Sequence, residues 1–325
     1  MKKVHVKEAI GEVLCHDIAR IVIGKVKDTP FRRGHRLEEK DIPFLLELGK
    51  EHIFVMDESD TDKIHEEDVA AHLYSLCANE SILPTPVREG KIEAIAQWDG
   101  LLVIDLPELL RINSIGDLTI VTKWHGQAVK QGEVVAGMRC IPLMLDGVQW
   151  DEAKSKWNGE PILKVLPYTR SRVGVVTTGS EVATGRIADA FTPIIKERIA
   201  EYGMTVVAHE IVTDDTDAIV AAIERVKASD VDVIFCTGGM SVDPDDLTPG
   251  AIRQVSSEFI TYGLPVLPGS MVCMAYLADG TPIMGLPGGV LFSKPTAFDV
   301  FLPRLAADYK ITKEQCIALG HGGLQ

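Results

Sequence analysis

The stretch CTGGMSVDPDDLTPG at residues 236–250 sets Asp243, Asp245 and Asp246 close behind the paired glycines Gly238 and Gly239. Carboxylates at this density can do two things. They can start a helix at Thr248 and Pro249, where Asp and Pro are ordinary first-turn chemistry. They can also hold a hard divalent cation and, through it, a phosphate. Two more acidic groups recur in the same context, Glu181 behind Gly179 and Asp214–Asp215 behind the run MTVVAHEIV. Taken alone, Asp214 or Asp215 suits a helix cap near Thr216 as well as it suits a site. Capping gives no reason for carboxylates to follow three successive strand-like runs alongside Gly179, Gly239 and Gly269. The pattern favours Mg2+ with a phosphate or pyrophosphate, the cation offsetting repulsion between acid and anion.

These groups converge only if the elements before them lie side by side. The β-branched runs RVGVVTTG (172–179), MTVVAHEIV (204–212) and VDVIFCTGG (231–239) predict strands. Between them, Phe191, Ile194, Ile195, Ile199 and Tyr202, then Ile219, Ala222, Ile223 and Val226, recur at helical spacing. Such alternation predicts a parallel sheet with crossover helices, and sheets of this kind bind ligands outside the carboxyl ends of their strands. All three acidic groups fall on that edge. A short helix TPGAIRQV, a strand pair from MVCMAYLA and TPIMGLPGG, and a helix within VLFSKPTAFDVFLPRLAADY, bounded or kinked by Pro295 and Pro303, complete the domain.

The preceding residues follow another pattern. EEKDIPFLLELGKEHIFVM predicts a helix, a stop at Gly49 and a strand, and DKIHEEDVAAHLYSLCA predicts a second helix. From about 90 to 145, strand signals punctuated by Gly126, Gly132 and Gly137 dominate, and DEAKSKWNGEPILKVLPYTRS reads as a linker. The expected division is a 1–75 α/β region, a 76–165 β-rich module with linker, a 172–310 α/β domain and a 311–325 tail.

With 325 residues, 46% of them hydrophobic, the chain can bury more than one core. Its formal charge of −14 argues against a nucleic-acid backbone or an anionic membrane as partner. Six cysteines (Cys15, Cys77, Cys140, Cys236, Cys273, Cys316) lie far apart with no CxxC pair, which suggests neither a zinc ribbon nor a disulfide scaffold and suits free thiols in a reducing cytoplasm. The charged beginning MKKVHVKEAIGEVL has no apolar targeting core and no stretch approaches the ~18 apolar residues of a membrane span, so a cytoplasmic protein is expected. GVVTTGSE lacks the Lys-Ser/Thr pair of a P-loop, no GxGxxG follows a strand, and Ser180 lacks the glycines of a nucleophile elbow. HEEDVAAH, with His65 and His72, and the basic FRRGHR at 31–36 read as a solvated helix face and a solvated turn.

Residues 172 to about 310 resemble the molybdopterin-binding domain of molybdopterin adenylyltransferase (MogA, MoaB) and molybdopterin molybdenumtransferase (MoeA). The matching stretches, in order, are TTGSEVATGRIAD, IVTDDTDAI, TGGMSVDPDDLTP, LPG at 267–269 and GLPGG at 285–289. VKEAIGEVLCHDIA and FRRGHRLEEKDIPFLLELGKEHIFV are also similar to pieces of the MoeA N-terminal region. The resemblance implies an α/β fold with a parallel-sheet α/β/α molybdopterin-binding domain behind smaller α/β and β-rich modules. It implies Glu181, Asp214 and Asp246 as catalytic, Mg2+-holding acids, and molybdopterin or its adenylate as ligand. Thr178, Gly179, Ser180, Asp189, Gly238, Gly239, Ser241, Pro268, Gly269, Gly285, Pro287 and Gly288 match the loops that line the ligand pocket. ATP and molybdate are the implied co-substrates, the reaction is adenylyl transfer or molybdate insertion, and a homo-oligomer is expected.

Departures from the family pattern bear on catalysis. Where MoeA proteins commonly show Lys-Pro-Gly-Lys-Pro, this chain has Leu267, Pro268, Gly269, Ser270 and Met271, and Arg253 is the only Lys or Arg between residues 229 and 293. Phe191 replaces a common Asn, and Gly289 and Val290 replace an Asn-Pro pair. Arg186 is then the nearest replacement cation, and a non-catalytic molybdopterin carrier or sensor competes with an enzyme. PDDLT at 244–248 also resembles the competence-damage-inducible (CinA) proteins, which implies a nucleotide pyrophosphatase as a third reading.

Overall fold

The structure, a computed structural model, describes residues 1–57 and 62–324 and divides into two units. In the C-terminal unit six strands are labelled β1 (Arg172–Thr178), β2 (Thr205–Val212), β3 (Val233–Thr237), β4 (Glu258–Tyr262), β5 (Cys273–Tyr276) and β6 (Pro282–Leu286). They form one sheet in the order β2-β1-β3-β6-β5-β4. The first four are mutually parallel, and β6-β5-β4 are antiparallel. β3 and β6 are buried throughout and β1 from Val173 onward, as expected of runs covered on both faces.

Among the described residues, six helices accompany the sheet: α1 (Ser180–Ala183), α2 (Phe191–Ala200), α3 (Thr216–Lys227), α4 (Thr248–Val255), α5 (Ala297–Ala306) and α6 (Lys313–Ala318). The sheet separates two apolar cores. On one face Phe235 of β3 meets Phe298 of α5 edge-on, with Ile195 and Ile199 of α2 in the same cluster. On the other, Cys236 packs with Ile219, Ile223 and Val226 of α3 and Ile252 of α4. The periodic residues named from sequence are those that face these cores.

Two details of this unit, β4 and the tail, differ from the sequence reading, while the placement of Pro295 and Pro303 near the ends of α5 agrees with it. β4 was not expected, because EFITY is a short edge strand with one buried residue, a pattern weak in any window. Pro295 precedes α5, which starts with a Thr296–Asp299 capping box, while Pro303 stands inside its last turn. The tail is structured too: α6 has its own capping box between Thr312 and Gln315, and Ile311 and Cys316 are buried in the core.

In the N-terminal unit, Lys2–His5 pairs antiparallel with His52–Val55 over a core that includes Leu14, Ile18, Leu37 and Leu45. Strands Ile82–Pro84, Lys91–Ala96, Val134–Cys140 and Leu118–Thr122 make a four-stranded antiparallel sheet in that order. The β-rich reading missed one helix, Leu106–Asn113, which Asp105 caps by accepting from the Glu108 N–H. The stretch read as a linker holds the end of helix Gly147–Ser155 and strand Leu163–Pro167.

The histidines and the basic turn are less solvated than expected. His65 is buried, accepts from the Glu67 N–H as the cap of helix Glu66–Ser75, and its Nε2 bonds the Cys15 carbonyl. His72 stacks on Trp150 at 4.9 Å. In FRRGHR, Arg33 donates to Glu67, Arg36 to the Gly11 carbonyl, and His35 pairs with Asp41. The turn is tied down by its own cations.

Candidate ligand cleft at the strand edge

Two cavities open at the carboxyl edge of the parallel strands. One of about 500 Å3 is lined by Thr178, Gly179, Glu181, Asp189, Phe191, Asp214, Gly238, Gly239, Asp245 and Asp246, among others. The other, about 480 Å3, is lined by Ser241, Asp243, Gly269, Ser270, Met271, Pro287 and Gly288, and shares Phe191, Gly238, Gly239 and Asp246 with the first. Both are ligand-sized. The shared residues make them two lobes of one cleft.

Gly238 and Gly239 form the floor where β3 ends. Gly238 has φ +85°, and a Cβ there would lie 2.1 Å from the Thr178 carbonyl oxygen, so only glycine lets the two strand ends approach this closely. The buried Thr248 hydroxyl donates to the Gly238 carbonyl at 2.8 Å and lies 3.1 Å from the Thr178 hydroxyl. This knot joins β1, β3 and α4. It also settles the helix-start question, since α4 has no side-chain cap and Asp246 accepts instead from the Asp243 N–H at 3.1 Å, inside its own loop.

The two aspartates after β2 divide the roles that sequence left open. Asp215 caps α3, accepting from the Ala218 N–H at 2.9 Å. Asp214 reaches back to the neighbouring loop and accepts from the Ser180 N–H at 2.8 Å, which brings its carboxylate to the cleft beside Glu181. Among the described residues no three His, Cys, Asp or Glu side chains gather into a ready-made metal cage. Glu181, Asp214, Asp245 and Asp246 are spread along the wall of one cavity.

Asp189 is built into a polar network that sequence did not reveal. Its Oδ1 accepts from the Phe191 and Thr192 N–H groups at 2.8 and 3.2 Å, which fixes the start of α2. Its Oδ2 lies 3.3 Å from the Thr177 hydroxyl and 3.4 Å from His209 Nε2. His209 Nε2 also meets the Thr177 and Thr192 hydroxyls at 3.0 and 3.2 Å. Burial raises the cost of charging Asp189, but the Thr192 and Phe191 hydrogen bonds and His209 hold its carboxyl below the usual range. Burial pushes His209 below the ordinary imidazole range, against the opposing pull of Asp189.

Four sequence-derived positions lie off the cavity walls. Arg186 follows the Gly185 turn, its N–H closes on the Glu181 carbonyl at 2.8 Å, and its side chain is exposed outside both linings. Ser180 contributes through its backbone N–H. Pro268 sits behind Gly269, its carbonyl accepting from the Ala297 N–H at 3.3 Å. Gly285 is buried in β6 beneath Met240, whose Sδ would be 2.6 Å from a Cβ there. Among the described residues, no Lys or Arg appears in either lining.

Comparison with known proteins places this unit. A family model described as "Probable molybdopterin binding domain" matches residues 174–307. That match falls within the C-terminal unit. A second model, a domain of unknown function (DUF8806), matches residues 3–57. The molybdopterin molybdenumtransferase of Staphylococcus epidermidis is 26% identical over 140 residues, 39% of this chain and 33% of that protein. A CinA-like protein of a Mycobacterium species is 38% identical over 85 residues, 26% of this chain and 20% of that protein. The chain thus spans about a third or less of the length of these relatives. The solved Mog protein of Mycobacterium ulcerans aligns with 43% of this chain and 98% of its own, at 24% identity and a TM-score of 0.36. The residues that line the cleft all fall within the stretch matched by the family model. Among the described residues no helix is long and apolar enough to cross a membrane.

Proposed function

We propose that the cleft binds molybdopterin or adenylated molybdopterin together with Mg2+, and that the protein serves adenylyl transfer or molybdate insertion in molybdenum cofactor biosynthesis. One observation carries the reading: Glu181, Asp214, Asp245 and Asp246 share a cavity with Gly179, Gly238 and Gly239 in a domain of the molybdopterin-binding family. Mg2+ prefers one or two carboxylates plus substrate phosphates and water to an all-protein cage. Dispersed acids without a three-ligand cluster suit that habit, with Asp214 and Asp246 as the holding pair and Glu181 beside them. Mg2+ bound there would neutralise phosphate charge. Backbone N–H groups at the glycine turn orient the anion, and Phe191 offers an apolar surface to the pterin ring.

A carrier or sensor is the second reading, and the cation-free lining favours it, because transfer of a phosphoryl group gains from positive side chains. Titration of molybdopterin into the wild-type chain and Asp246→Asn, with and without Mg2+, tests both. Wild type is expected to bind more tightly with Mg2+, and Asp246→Asn to bind about tenfold more weakly. Equal affinity in the two conditions removes the metal, and no binding removes the whole reading. Binding without ATP consumption or molybdate insertion leaves the carrier.

A further inference from the structure

The cleft is lined by acids and glycines, yet a cation stands directly behind it. Arg198, on α2, is 6% exposed. Its Nη2 donates to the Val290 and Ser293 carbonyls at 2.8 and 2.6 Å. Its Nη1 donates to the Asp299 carboxylate at 2.8 Å and reaches the Thr296 hydroxyl at 3.4 Å. All four partners lie in the segment that follows β6. Val290 belongs to the 3-10 turn Gly288–Leu291, whose glycine and leucine ends face the cleft, and Thr296 and Asp299 form the capping box of α5.

The clamp reaches a second wall through the start of α5. Thr296 is fully buried, and both its N–H and its hydroxyl donate to Asp299, the carboxylate that Arg198 also holds. The next residue, Ala297, donates its N–H to the Pro268 carbonyl at 3.3 Å. A Cβ on Gly269 would meet that same Ala297 N at 3.2 Å, so the 268–271 loop is seated against the α5 start. Gly269, Ser270 and Met271 then line one side of the cleft, and Pro287, Gly288 and Gly289 another. Both loops trace back to one guanidinium.

We propose that Arg198 is a positioning residue of the ligand cleft, one that sets the mutual placement of the 268–271 and 287–293 loops without touching the ligand. The identity of the ligand rests on the reading above; the clamp itself does not. Its charge is spent on Asp299 and on two carbonyls, so it acts on a bound anion through geometry rather than attraction. Lysine cannot replace it. A single ammonium cannot satisfy acceptors that a planar fork reaches on two sides, although it keeps the buried charge paired with Asp299.

Arg198→Lys in the full chain is the test, read by hydrogen exchange and by molybdopterin titration. Exchange at residues 268–271 and 287–293 is expected to speed up at least about tenfold while helix Thr216–Lys227 on the opposite sheet face is unchanged, with molybdopterin affinity falling by about tenfold. Unchanged exchange in the two loops overturns the proposal. So does a uniform acceleration that includes Thr216–Lys227, because Arg198 would then serve only overall stability. If wild type binds no molybdopterin, the functional reading fails while the exchange pattern still decides the clamp.

Discussion

Gly238→Ala is the most direct probe of the turn on which the cleft is built. Gly238 has φ +85°, and its Cβ would lie 2.1 Å from the Thr178 carbonyl oxygen and 2.7 Å from the Thr178 hydroxyl. The left-handed conformation alone costs a non-glycine residue ~1–2 kcal/mol. Relief of the contact requires movement of Thr178, the last residue of β1, which is buried, paired in register with Val212 and held through its hydroxyl by Thr248. Forcing atoms into a packed site of this kind costs a further ~1–3 kcal/mol. The sum is ~2–5 kcal/mol. Gly185→Ala is the matched control, with φ +72° and no heavy atom within 4 Å of its Cβ, so it carries only the conformational cost. Tryptophan fluorescence does not report on this unit directly, because Trp98, Trp124, Trp150 and Trp157 all lie in the other unit. Hydrogen exchange at β1 and β3 reports its opening free energy directly. Gly238→Ala should lower that energy by at least ~1 kcal/mol more than Gly185→Ala. Equal losses in the two variants would refute the close approach of the strand ends.

Two further outcomes separate structural from functional polar groups. Asp215→Ala removes the α3 cap and should cost ~1 kcal/mol of stability with ligand affinity unchanged. Asp214→Asn keeps an oxygen for the Ser180 N–H and should spare stability while weakening Mg2+-dependent binding severalfold; the reverse pattern in these two would exchange their roles. Because the folded-state pKa of His209 is lowered, its contribution to stability is present while the ring is neutral and is lost as pH falls through its unfolded value of ~6.5 toward the folded one. Unfolding measured across that window should show a shallower acid loss in His209→Gln than in wild type, and identical profiles would remove His209 from the network.

The parallel sheet was legible because β1 and β3 are covered on both faces and read as apolar, largely β-branched runs ending at Gly179 and Gly238–Gly239, while Gly203 marks the start of the alternating edge strand β2. The acidic edge was legible for a related reason: topology alone places residues after successive parallel strands on one side. What sequence could not do was divide Asp214 from Asp215. Both follow the same strand, and only the three-dimensional path of the Ser180 loop makes one a cap and the other a cleft residue. β4 and α6 were missed because each buries too few residues to show a period.

Arg198 and His209 were missed for a deeper reason. Arg198 occupies a helix position that reads as solvated, between the apolar residues Ile195 and Ile199, and its four partners lie 92 to 101 residues away. His209 sits in an alternating edge strand, where a polar residue raises no signal until Thr177, Asp189 and Thr192 close around it. The sequence reading sought a cation to face the ligand and settled on Arg186, the nearest one along the chain. In the structure Arg186 is exposed and lies outside both cavity linings. A glycine turn without side-chain cations leaves an anion to backbone N–H groups and to a metal, and such donors serve only if the loops that carry them are fixed. A cation placed behind the loops, as proposed for Arg198, would meet that requirement, and it would leave Glu181, Asp214 and Asp246 to a divalent metal without a competing positive charge in the cleft.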